Sequence, residues 1–233
     1  MLRDKDIREP LFDFLDEIYG KNRIIEEKTM GKSRADVVMV TPDALYGIEI
    51  KSDADTYARL SRQVKDYDKY YDFNYVVVGT SHAMHIREHV PEYWGVITVE
   101  IVDGAFDFYV LRKPASNPKV TWKKKLEILW RPELARIQEW NQMPKYKEKS
   151  KSFVVEKIVE WLQNGKIIDI QLKEQMCEIL LERDYNTIAK DLTEYRKGEI
   201  TKKLEQENDP EKRIELMMQR AVAKKNLRRK KRR

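Results

Sequence analysis

Of the 233 residues, 41% are hydrophobic, enough for a real core, while 37% are charged, which points to long solvated helices. No run approaches the roughly 18 apolar residues that a bilayer span needs. The start "MLRDKDIREPLFDF" lacks the apolar stretch of a secretory signal, and the single Cys177 excludes an internal disulfide framework. A soluble, cytoplasmic protein is expected. The net charge of +6 is unevenly spread, because the last ten residues carry eight Lys/Arg and no acid. Removing those eight leaves −2 for residues 1–223. The tail residues Lys224, Lys225, Arg228, Arg229, Lys230, Lys231, Arg232 and Arg233 suit a polyanion such as nucleic acid, and equally a solubilising end.

The first predicted element is a helix over 7–19, with Ile7, Leu11, Leu15 and Ile18 on one face. Asp6 and Glu9 have capping-box spacing, with Pro10 in the first turn. Three short strands follow at 23–30, 35–40 and 46–52, separated by "GKSR" and "TPDA". "ADVVMV" is apolar on both faces after Asp36, as a covered central strand should be. A second helix is predicted over 55–72, a buried strand over 75–80, and a hairpin over 94–113 around Asp103-Gly104. The order is αβββαβ followed by a hairpin, in one α/β core covering residues 1–114.

After "KPASNPK" the character changes. Residues 115–150 are rich in Trp and Lys, and Trp122, Trp130 and Trp140 are too many to leave exposed, so this arm should pack on the core. Residues 151–233 read as a helical C-terminal region, including a helix capped by Asp209 with Pro210 at its first position. Its expected work is packing, self-association as a homodimer, or contact with a protein partner.

Three residues carry the chemistry. Asp36 stands at the mouth of one covered strand, and Glu49 and Lys51 lie on one face of the next, opposite Ile48 and Ile50. If the strands pair, the carboxylates of Asp36 and Glu49 approach and repel, and a divalent cation relieves that repulsion. Hard oxygen ligands suit Mg2+ or Mn2+. Lys51 would then face a water or phosphate oxygen beside the metal, an arrangement suited to phosphodiester hydrolysis. Read singly, Glu-x-Lys is an ordinary solvated pair and Asp36 a strand-start turn residue. The joint pattern is the specific signal. On the following helix Arg59, Gln63 and Tyr67 fall at i, i+4 and i+8, a row able to meet phosphates or, in isolation, merely water.

"RADVVMV", "GIEIKSD" and "QVKDY" resemble the motifs of the PD-(D/E)XK nuclease superfamily. Together with "VVVGTSH" and "VPEYWGV", they more narrowly resemble a group of small bacterial and phage-borne nuclease-like proteins. The resemblance covers residues 5–113 and implies a restriction-endonuclease-like core with a mixed central sheet; the helical C-terminal extension that follows the hairpin is read from the pattern alone. It implies Asp36, Glu49 and the Ile50 backbone carbonyl as metal ligands and Lys51 as the catalytic lysine. Gln63 and Tyr67 would support the site or contact substrate. Ala35 stands where the superfamily has proline. The additional acid stays open between Glu9 on the first helix and Glu26 or Glu27 on the first strand, with Glu27 ranked first. The expected function is a metal-dependent deoxyribonuclease of repair, recombination, restriction or mobile-element biology, with RNA a lower-ranked substrate. The competing expectation is a non-catalytic nucleic-acid-binding or scaffold protein on the same fold.

Overall fold

The computed structural model describes residues 3–31, 33–53, 55–183 and 212. The chain divides into two compact units, Met1–Leu181 and Glu182–Arg233. The expected Asp209-capped helix start and the basic tail lie outside the described residues.

In the first unit, α1 (Asp4–Tyr19) precedes a meander of β1 (Arg23–Met30), β2 (Ser33–Val40) and β3 (Leu45–Lys51). A 3-10 turn (Tyr57–Arg59) leads into α2 (Leu60–Tyr70), then β4 (Phe73–Gly79), α3 (Thr80–His89) and the hairpin β5 (Gly95–Val102) and β6 (Ala105–Arg112). The six strands lie in sequence order, antiparallel except for the β3–β4 and β4–β5 pairs, which are parallel. This is the mixed α/β architecture expected from the strand pattern. Parallel neighbours cannot be joined by tight turns, so α2 and α3 serve as the two crossovers. The first is the helix expected over 55–72; α3, where Ala83 and Ile86 are the buried hydrophobics, is not among the expected elements.

Alternation then sorts the side chains into two layers. Ile48, Ile50, Val77 and Val99 face one way and meet Ile7, Leu11 and Leu15 of α1. All three α1 side chains are fully buried, each contributing ~1.5–3 kcal/mol, and Leu11→Ala would cost ~2–5 kcal/mol. Val76 and Val78 face the other way, onto Leu60, Val64 and Tyr67 of α2. That second cluster runs on into α4 (Trp122–Leu126), α5 (Arg131–Trp140), α6 (Lys151–Gln163) and α7 (Asp169–Glu182) through Leu126, Leu134, Ile158 and Leu172.

Segment 115–125 is tied down by polar contacts. Asn117 Nδ2 donates to the carbonyls of Asp68 (2.8 Å) and Tyr71 (2.7 Å), satisfying the open C-terminal end of α2. Trp94 Nε1 donates to buried Asp68 at 2.9 Å. Lys125 Nζ meets Asp72 Oδ1 at 2.7 Å in a buried pair, while Asp72 Oδ2 accepts the Leu45 N–H at 3.0 Å.

Two local expectations are corrected. α1 begins at Asp4 behind Arg3, with no side-chain cap, so Asp6 and Glu9 form no capping box and Pro10 sits beyond the first turn. The early start has a cause: Arg8 forks onto the Asp4 carboxylate one turn back, at 2.8 and 3.1 Å. Of the three arm tryptophans, Trp122 and Trp130 are half-buried but Trp140 is exposed, its ring covered on one side by Arg136 at 4.8 Å.

Candidate active site

The site forms where β2 leaves β3. Their ladder extends only from Val40↔Leu45 to Val37↔Ile48, so the next residue, Asp36, is free of it. The β1–β2 ladder pairs on either side of Asp36 and Glu27, and Glu27 has φ 51°, a left-handed conformation that a glutamate adopts at a cost. Alternation breaks at the same point: Ala35 packs on the α2 side while Val37 packs on the α1 side. The twist turns the Asp36 carboxylate onto the strand it would otherwise pair with, and its Oδ2 accepts the Ile50 N–H at 2.9 Å.

Glu49 and Lys51 both project to the α2 side. Glu49 is 1% exposed, and its carboxylate is held from three directions. Lys51 Nζ donates to Oε1 at 2.6 Å, Gln63 Nε2 donates to the same oxygen, and the Tyr67 hydroxyl donates to Oε2 at 2.7 Å. Lys51 Nζ also donates to Gln63 Oε1 at 3.1 Å. The approach of α2 depends on Gly47, two residues before Glu49. A Cβ there would lie 2.3 Å from a Tyr71 ring carbon and 2.6 Å from one of Tyr67. Tyr67 is wholly buried; it accepts the Asp36 N–H at 3.2 Å and supports the site rather than reaching solvent. Burial, then the charges of Glu49 and Asp36, push its phenol well above the usual range.

Over these groups opens a pocket of about 300 Å³. Asp36, Glu49, Ile50 and Lys51 line it, with Asp4 from α1, Ser33 and Arg34 from the β1–β2 hairpin, and Asp55, Arg59, Arg62 and Gln63 from the loop and α2. Burial and the nearby Glu49 charge, against the Ile50 N–H, raise the Asp36 carboxyl to about 7. Arg8 stands behind it, 3.9 Å from Asp36 Oδ1 and 3.1 Å from Glu26 Oε2. Burial opposes the Arg8 charge, but its bonds to Asp4 and Glu26 outweigh that and hold the guanidinium above its ordinary value.

The structure thus brings together Asp36, Glu49, Lys51, Gln63 and Tyr67, with Arg59 at the pocket wall. The acids singled out to join them stand elsewhere. Glu9 is exposed and does not line the pocket, and Glu27 turns outward to Arg34 at 3.1 Å. The left-handed backbone at Glu27 explains its direction. Asp4 stands on the pocket wall instead, and Asp4, Ser33, Arg34, Asp55 and Arg62 of the lining, with Arg8 behind it, are not among the expected site residues. The i, i+4 spacing of Asp4 and Arg8 was the available signal.

A family model described as bacteriophage P4 protein cII matches residues 1–204. The chain belongs to that family. Every pocket residue of this cII-family chain falls inside the matched segment. A comparison with curated proteins finds no match. Among solved structures, Pyrococcus furiosus SfsA in complex with Ca2+ is 15% identical with a TM-score of 0.31. That likeness covers 50% of this chain and 63% of SfsA, so the cII-family chain spans less than two thirds of SfsA's length.

Among the described residues, no three His, Cys, Asp or Glu side chains are grouped as a ready metal cage. Mg2+ asks for less: one or two carboxylates, with water and substrate oxygens completing the octahedron. The pocket offers that donor set in Asp36 and Glu49, with Ile50 beside them, and the Asp36 carboxyl is raised first by burial and then by the Glu49 charge, a repulsion that a cation would relieve. No helix among the described residues is long and apolar enough to cross a membrane.

Proposed function

We propose that this protein is a metal-dependent nuclease that hydrolyses DNA phosphodiester bonds. The observation that carries the reading is the convergence in one pocket of two carboxylates, Asp36 and Glu49, with a lysine whose ammonium lies 2.6 Å from the second. Asp36, Glu49 and the Ile50 carbonyl would hold Mg2+ or Mn2+. Such a cation lowers the pKa of a bound water and neutralises charge developing at phosphorus.

The chain's own groups do the rest. Tyr67 and Gln63 fix the Glu49 carboxylate in one rotamer, so its direction is set before any ligand arrives. Gln63 Oε1 holds the Lys51 ammonium at the pocket floor, where it can orient a nucleophile or face a phosphate oxygen. Arg59 on the wall would take a neighbouring phosphate. Repair, recombination, restriction or mobile-element maintenance are the processes that such an activity would serve.

The test is direct. Purified protein with Mg2+ or Mn2+ should cleave at least one DNA form among single strands, duplexes and branched substrates, and Lys51→Ala should lower the rate about 10²–10³-fold. No cleavage of any form, or cleavage unchanged in the variant, would sink the proposal. A second reading has its own support: Glu49 is already satisfied by Lys51, Gln63 and Tyr67, as a non-catalytic nucleic-acid-binding scaffold would need. Calorimetric titration separates the two, since a scaffold takes up no Mg2+ or Mn2+ at this pocket.

A further inference from the structure

We infer that the pocket receives a single, flexible nucleic-acid strand, such as a single-stranded segment or a frayed end, rather than the face of an intact duplex. The inference rests on the nuclease reading of the site and adds the form of its substrate. The candidate reacting groups do not lie on an open surface. Glu49 is 1% exposed and the Lys51 side chain 8%, while Asp36, nearer the mouth, is 20% exposed. The pocket above them is about 300 Å³, the scale of one nucleotide. Its walls come from separate parts of the chain: Asp4 at the start of α1, Ser33 and Arg34 of the β1–β2 hairpin, and Asp55, Arg59, Arg62 and Gln63.

A duplex is stiff over ~150 base pairs, and its phosphates ride on the outside of a broad cylinder. Laid across this mouth, it would hold its phosphorus atoms at the rim, away from Lys51. A single strand has soft backbone torsions and can turn one phosphate down to the floor.

The cations at the rim are arranged for that strand. Arg59 and Arg62 are exposed and, among the described residues, neither has an ion-pair partner, although both line a pocket holding four carboxylates. Arg34, from the hairpin, is 58% exposed and held at 3.1 Å by Glu27. Guanidiniums with no acid to satisfy them, beside a pocket one nucleotide in size, fit the phosphates flanking an inserted one. A helix surface would not need them to line the pocket. Arg59 at the helix entry and Arg62 one turn on present the two unpaired charges together.

The experiment is binding without chemistry. Full-length protein is titrated in EDTA against three fluorescein-labelled DNAs: an oligothymidylate of about 20 nucleotides, a blunt duplex of that length, and the duplex with a single-stranded overhang. The oligothymidylate and the overhang should bind at least about tenfold tighter than the blunt duplex. Arg59→Ala and Arg62→Ala should each lower the single-strand salt slope by about 0.7, the value of one lost phosphate contact. Equal or tighter binding of the blunt duplex overturns the inference, as do salt slopes that neither variant moves. Because no metal is present, these results are independent of whether the protein cleaves DNA, and the two readings can fail separately.

Discussion

Among the described residues two lysine–carboxylate pairs are buried, and they are nearly the same object. Lys51–Glu49 spans 2.6 Å with side chains 8% and 1% exposed; Lys125–Asp72 spans 2.7 Å with side chains 3% and 9% exposed. Their surroundings differ. Asp72 also accepts the Leu45 N–H and ties α4 to the start of β3, whereas Glu49 and Lys51 line a pocket beside a second carboxylate. A buried ion pair therefore says little about its task. The space next to it, and the other charges that share that space, say more.

Breaking each pair should give opposite signatures. Lys125→Met leaves Asp72 buried without its cation and should cost ~3–5 kcal/mol by denaturant unfolding, with the chemistry of surviving folded protein intact. Lys51→Met should instead abolish most cleavage while the unfolding midpoint falls less, since Gln63 and Tyr67 still hold Glu49 and pocket water replaces the ammonium. If both variants lose stability alike and cleavage is indifferent to Lys51, the two pairs serve the same structural end.

Asp36 sharpens the contrast, because the fold works against its charge. Its carboxyl titrates at about 7 in the folded protein, above the ordinary 3.8, so the protonated form is the one folding favours. That stability is fully present at low pH and is lost as pH rises through 7. Asp36→Asn, which keeps an oxygen for the Ile50 N–H, should therefore be more stable than the wild type at pH 8 in EDTA, by ~2–4 kcal/mol. The difference should close near pH 4. Thermal melts across pH measure it, and Mg2+ or Mn2+ should raise the wild-type melting temperature at pH 8 but not that of the variant.

The smallest effect belongs to Tyr67→Phe. Removing one hydroxyl leaves Glu49 Oε2 and the Asp36 N–H short of a partner, a cost of ~1–3 kcal/mol. Cleavage should fall with it through a looser Glu49, and a melt with no change at all would mean that water replaces the hydroxyl.

The strands were legible because period-two alternation and turn residues bracket them; β1 matches its expected span, 23–30, residue for residue. α3 was not, because "TSHAMHIREH" buries little and leaves Met84 81% exposed, so no apolar stripe marks it. The gathering of Asp36, Glu49, Lys51, Gln63 and Tyr67 could be read from adjacent strands and one helical row. The pocket's outer wall could not. Asp4 precedes the expected helix start, and Glu27 is turned away by a backbone twist that no side-chain pattern encodes. Trp140 misled because a large ring can be covered by one arginine without entering the core.

Gly47 gives the candidate site a spacing gauge. Its missing methyl group sets how near α2 may stand to β3, and that gap is the length over which Gln63 and Tyr67 reach Glu49. A single carbon added at this position would touch no charged atom, yet it would lever the helix outward and pull two hydrogen-bond donors off the carboxylate at once. Loss of activity there would look like a folding defect and be a failure of distance.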